Sequence, residues 1–180
     1  MTGPAFDVAA MREAFDRSFA EPAATDRAPG ERLLLLRVAG HPYAIRMVEI
    51  AGVVADRRIV AVPTSVPGLL GVAGIRGGLV PVYGLAELLG HGADGRDPAR
   101  ARWIALGQAA ELVGLAFADL EGQLSLPAEA IVTASAAAPA DDAAPHLART
   151  DDGVRPIVSV PTLIEAIRRR CQRARAAKER

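Results

Sequence analysis

Cysteine is almost missing from this chain: Cys171 is the only one in 180 residues. That excludes an intramolecular disulfide and any cluster of thiolate metal ligands, and a lone thiol in a basic run suits a reducing compartment. Net charge is missing too, because 21 Lys and Arg balance 21 Asp and Glu. A nucleic-acid binder concentrates cations against phosphate, and bulk composition here holds no such excess. Aromatics make up only 4% of the residues, too few for the stacking platform of a single-strand-binding barrel. No apolar run reaches the ~20 residues of a membrane helix, since the most apolar span, 59–75, is interrupted by Pro63, Pro67 and glycines. The first residues, MTGPAFDVAAMREAFDR, mix acids and bases and have no continuous apolar stretch of the secretory kind. These absences predict a cytoplasmic protein without membrane insertion and without a nucleic-acid partner.

What is present is a 51% hydrophobic fraction, enough for one domain with a real core. Val8, Met11, Phe15 and Phe19 recur at helical spacing, which predicts an amphipathic helix within 1–20. EPAATDRAPGE, 21–31, has the composition of a linker. From residue 32 the rhythm becomes short apolar runs broken by turn residues, the pattern of an all-β domain over 32–167. RLLLLRVA, YAIRMVEIAGVV, RRIVAV and GGLVPVYGL read as strands, the last at an edge or bulge because Pro81 has no N–H for a ladder. AELLG is a helical turn, and the polar loop 91–101 divides this β half from a second. RWIALG, ELVGLAFA, GQLSLP and RPIVSV continue the strand rhythm, with a mobile surface loop expected over 133–146. Pro161 opens a final helix that turns Leu163, Ile164 and Ile167 inward and becomes a basic tail over 168–180. Such a tail is a solvated helix end or a contact for an acidic partner or membrane surface.

Chemistry is hard to place on this pattern. GLLGVAGIRGG, 68–78, is glycine-rich, but it lacks the G-K-[ST] ending of a phosphate loop and does not open a helix as a dinucleotide fingerprint does. Bends and close backbone approaches in a small barrel explain its glycines better. His41, His91 and His146 are far apart in sequence, in predicted turns or loops, without metal-ligand spacing. No G-x-S-x-G elbow surrounds Ser65, Ser125 or Ser159, and the acid pairs Asp141-Asp142 and Asp151-Asp152 fall in loops. No catalytic residue, metal site or cofactor is assigned, which is the profile of an interaction module.

The order RLLLLRVAGHPYAIRMVEIAGVV…VPTSVPGLLGVAGIRGGLVPVYGL, followed by RWIALG…ELVGLAFADLEGQLSLP and RPIVSVPTLIEAI, resembles the CheW family of chemotaxis coupling proteins. The resemblance runs from about residue 31 to residue 167. It implies a mainly β fold of two intertwined five-stranded SH3-like barrels, with short helices and a C-terminal helix, sharing a hydrophobic interface. It also implies a non-enzymatic scaffold whose partners are the cytoplasmic tip of a chemoreceptor and the regulatory domain of the chemotaxis histidine kinase. Arg76 and Gly77 match the family's Leu-Arg-Gly motif, with Ile75 in place of the leucine; Gly74, Ile50 and Gly52 complete the partner-binding candidates. Several family positions differ: Gly74 stands for the asparagine, Gly52 for a glutamate, Gly84 for an acid, and Phe117-Ala118 for a Val-Asp pair. Two roles are open for Arg76, a charged anchor for a partner or an Arg–carboxylate bridge between barrels. Two other functions also remain open: a divergent barrel that binds a small ligand or another partner, and a nucleic-acid-associated module using the basic helix.

Overall fold

In a computed structural model the described residues are 30–92, 101–107, 112–133 and 143–178. The helix expected within 1–20 and nearly all of the linker expected over 21–31 lie outside them. The chain runs through β1 (Glu31–Val38), β2 (His41–Arg46), a 3₁₀ turn (Met47–Glu49), β3 (Ile50–Ala55), β4 (Ile59–Val60), β5 (Leu69–Ile75) and β6 (Gly78–Gly84). The one-turn helix α1 (Leu85–Leu88) precedes β7 (Trp103–Gly107), β8 (Val113–Phe117) and β9 (Asp119–Leu126). A second 3₁₀ turn (Ala128–Ala130) leads to β10 (Ile131–Thr133), β11 (His146–Thr150), β12 (Gly153–Val158) and the long helix α2 (Val160–Lys178).

The strands form two six-stranded sheets, in the orders β10-β11-β12-β2-β1-β9 and β3-β7-β8-β6-β5-β4. The fold is therefore mainly β, two SH3-like barrels with a C-terminal helix, as the resemblance implied. The sixth strand of each sheet is an edge strand of only three residues (β10) or two (β4). The chain starts in one barrel with β1 and β2, builds all of the other, and returns to the first with β9. Consequently the polar loop 91–101 does not divide the sheets, contrary to the sequence expectation: β7 and β8 on its far side pair with β3 and β6. YAIRMVEIAGVV is likewise not one strand. The 3₁₀ turn at Met47–Glu49 hands the chain from one sheet to the other.

Burial explains the intertwining. Leu33, Ala44, Ala148 and Ile157 fill one barrel. Leu70, Ala73, Ile75, Val80, Val82, Ile104, Leu106 and Ala116 fill the other. A third and larger cluster lies between them, built from β1 (Leu34, Leu36), β8 (Leu115, Phe117), Tyr83, Leu85 and the inner face of α2 (Val160, Leu163, Ile164, Ile167). Each such leucine or isoleucine contributes about 1.5–3 kcal/mol by leaving water, so neither barrel is complete without the other.

Pro81 does not sit on an edge strand, because β6 lies between β8 and β5. It is tolerated because the parallel ladder to β8 begins one residue later, at Val82. The other barrel repeats the device: Pro156 precedes Ile157, where β12 begins its parallel pairing with β2. In both places a hairpin ends in such a strand and runs into a helix, α1 or α2. The loop expected over 133–146 is shorter than that range, because Thr133 closes β10, His146 opens β11, and Ala143 and Ala144 are buried; residues 134–142 lie outside the described set.

Candidate partner-binding site

The candidate residues gather around the tip of the β5–β6 hairpin. Ile75 pairs with Gly78, and Arg76 and Gly77 between them have φ of 51° and 79°. Two consecutive positive φ values define the tight hairpin turn that follows the twist of its strands, normally the preserve of Asn and Gly. An arginine there costs roughly 1–2 kcal/mol in backbone conformation. Its guanidinium is held all the same: Arg76 Nη2 donates to the carbonyl of Ala51 at 3.0 Å, joining the hairpin tip to β3. No carboxylate pairs with Arg76 among the described residues, and its bond to Ala51 lies within one sheet, so it does not make the Arg–carboxylate bridge between barrels that the sequence left open.

Gly52 permits that approach. It follows a register irregularity of β3, with φ of 146°, and a Cβ built on it would lie 3.2 Å from Arg76 Nη2. The position where the family's glutamate falls thus lies against the motif arginine. Gly74 is exposed, with no atom within 4 Å of where its Cβ would be. It sits opposite Leu79, a leucine 78% exposed. Ile75 and Ile50 point the other way and are buried, in the cores inside and between the barrels respectively. The six candidates therefore divide: Arg76, Gly77 and Gly74 are surface, Gly52 is the seat of the arginine, and Ile50 and Ile75 are its support.

Sequence reasoning missed three further residues here. Leu79 lies in a run read only as a strand; its alternation with buried Val80 was the available signal. Val48, 81% exposed, is on the 3₁₀ turn that an unbroken strand reading concealed. Glu49 has a structural task instead: its carboxylate accepts the N–H of Val160 at 2.7 Å, at the start of α2, and lies 3.6 Å from Arg46.

Elsewhere, Arg155 is buried on β12 and its guanidinium bonds Glu121 of β9, which also accepts from Arg37 at 2.6 Å. The Arg155 hydrogen bond holds the Glu121 carboxyl below the ordinary range, against partial burial, and Arg37 adds to the lowering. Burial and a 3.5 Å contact with Cys171 push the Tyr83 phenol up. His41 and His91, far apart in sequence, stack at 5.0 Å between ring centroids, with His91 Nε2 2.7 Å from Tyr43 Oη. Among the described residues no three His, Cys, Asp or Glu side chains group as metal ligands.

Against known proteins, the model of the CheW-like domain matches residues 32–168. Among solved structures, the scaffolding protein TtCheW from Thermoanaerobacter tengcongensis superposes with a TM-score of 0.63 at 20% identity, covering 72% of this chain and 89% of its own. No curated protein sequence matches. The domain match takes in both barrels, the hairpin tip and the first half of α2, and the chain belongs to the CheW-like family.

Proposed function

We propose that this protein is a non-enzymatic chemotaxis scaffold, acting in the cytoplasm, that couples a chemoreceptor's cytoplasmic tip to the regulatory domain of the chemotaxis histidine kinase. The observation that carries this reading is the hairpin tip: an exposed arginine in a conformation unfavourable for it, tied to a second strand and flanked by exposed Leu79. A fixed guanidinium beside an apolar side chain is the composition of an interface anchor, since it loses little freedom on binding and offers several donors. Backbone strain retained on a surface turn points the same way. Membership of the CheW-like family supports scaffolding as the role, and among the described residues no helix is long and apolar enough to cross a membrane.

A second reading keeps the barrel but drops the coupling. It is favoured by Gly52, which leaves Arg76 bonded to a backbone carbonyl where the family has a glutamate. Reconstitution with the cognate receptor fragment and kinase separates the two. The scaffold reading predicts a ternary complex that forms only when this chain is present. Binding of neither protein, with the chain folded, would refute it.

A further inference from the structure

We infer that the groove between the loop following β4 and the second half of α2 receives a carboxylate side chain from an acidic segment of a protein partner. The groove, of about 490 Å³, is lined by Ser65, Pro67, Glu87, Arg170, Arg173 and Ala174. It lies away from the Arg76 tip and shares no residue with the candidate site. Its distinguishing feature is Arg170, whose Nη1 is buried and has no hydrogen-bond partner. A charged donor shut off from water without an acceptor is costly, and such groups in native structures call for an explanation. Gly68 packs against this guanidinium: its φ is 85°, and a Cβ there would stand 3.2 Å from Arg170 Nη1.

The lining specifies the ligand. Arg170 and Arg173 place two cations on the wall of the groove, for which an anionic group is the complement. A guanidinium presents donors in a planar fork that suits a carboxylate, and Ser65 adds a hydroxyl. The volume exceeds what a lone carboxylate fills, and Pro67 and Ala174 add apolar wall, as needed for an aliphatic stem and its backbone. A protein segment bearing Asp or Glu meets all three conditions. The basic character of α2 strengthens the attraction, because Arg169, Arg173, Arg175 and Lys178 are all exposed on the same helix.

The inference rests on the scaffold reading only in taking a protein as the source of the carboxylate, and its test uses no receptor or kinase, so the two fail separately. The full-length chain, with its arginine side-chain nitrogens labelled, is titrated with an end-capped peptide carrying one Glu among Ala and Ser, with the matching Gln peptide, and with inorganic phosphate. The expected result is saturable shifts of the Arg170 and Arg173 signals with the Glu peptide alone. Arg173→Ala, on an exposed position, should weaken that binding about tenfold, the loss of one hydrogen bond to a charged group. Arg170→Met should abolish it; if that variant melts early, Arg173→Ala still decides. Equal shifts with the Gln peptide, stronger shifts with phosphate, or no saturation by about 10 mM peptide would each overturn the assignment.

Discussion

The Glu49 carboxylate accepts the backbone N–H of Val160 at 2.7 Å, so a side chain from the turn ahead of β3 closes the first turn of the C-terminal helix. The opening N–H groups of a helix have no internal partner, and a negative charge there also meets the favourable end of the helix dipole. Ser159 adds a local cap, its Oγ accepting from the Thr162 backbone N–H at 3.4 Å. Glu49 therefore ties the strand that seats Arg76 to the helix that seals the central core.

Removing that tie should cost stability. Glu49→Ala is expected to lose about 1–2 kcal/mol, the worth of a cap that is also charge-assisted. Glu49→Gln, which keeps an acceptor, should recover part of it. Denaturant melts of the three proteins provide the check, and equal midpoints would show that the contact carries no energy.

Glu121 makes stability depend on pH in a stated direction. Its carboxyl is held below the ordinary value of 4.5, so the folded state binds that proton less tightly than the unfolded state does. The contribution is complete above that value and is lost as pH falls through the lower, folded value. Glu121→Gln should cost about 2 kcal/mol at neutral pH and flatten the acid limb of the stability profile below about 4.5. An unchanged acid limb in the variant would contradict the ion-pair account.

The glycine run 68–78 is where the sequence was read best and least. Its glycines were legible as bends and close approaches, and Gly71 is one: a Cβ there would meet the carbonyl oxygen of Val60 at 2.2 Å. Gly71→Ala should lose more than about 3 kcal/mol, because the obstruction is backbone and φ is already 151°. Thermal melting checks this, and a shift within error would mean that β4 can move aside.

The barrels themselves were legible because their strands carry the family's order of segments, and the inward side of α2 because Leu163, Ile164 and Ile167 repeat at helical spacing. Which strand joined which sheet was not legible. Periodicity describes a strand's faces but not its neighbours, so the handover at Met47–Glu49 and the return at Asp119 left no local trace. The interior place of Pro81 was hidden for a related reason: the tolerance depends on where the parallel ladder starts, a tertiary fact. Of the site, the Arg76 motif was readable, whereas its carbonyl partner, the exposed Leu79 and the capping role of Glu49 depend on contacts distant in sequence.

Gly74 offers a gain-of-function test. With open space at its Cβ position, Gly74→Asn restores the family residue without a clash and should leave the fold within about 1 kcal/mol of the parent. If the hairpin tip is the receptor contact, pull-down of the receptor fragment should strengthen. Weaker binding by a fully folded variant would count against that contact.

The central claim, that the hairpin tip is a binding anchor and not a brace for the fold, is tested most directly by Arg76→Gly. Glycine suits the positive φ of this turn, so relief of backbone cost should offset the lost bond to Ala51 and leave stability within about 1 kcal/mol. The account predicts an unchanged melting transition with receptor–kinase complex formation reduced at least about tenfold, as expected for the loss of an arginine hot spot. A variant that melts normally and still assembles the complex at the parent's affinity would contradict it.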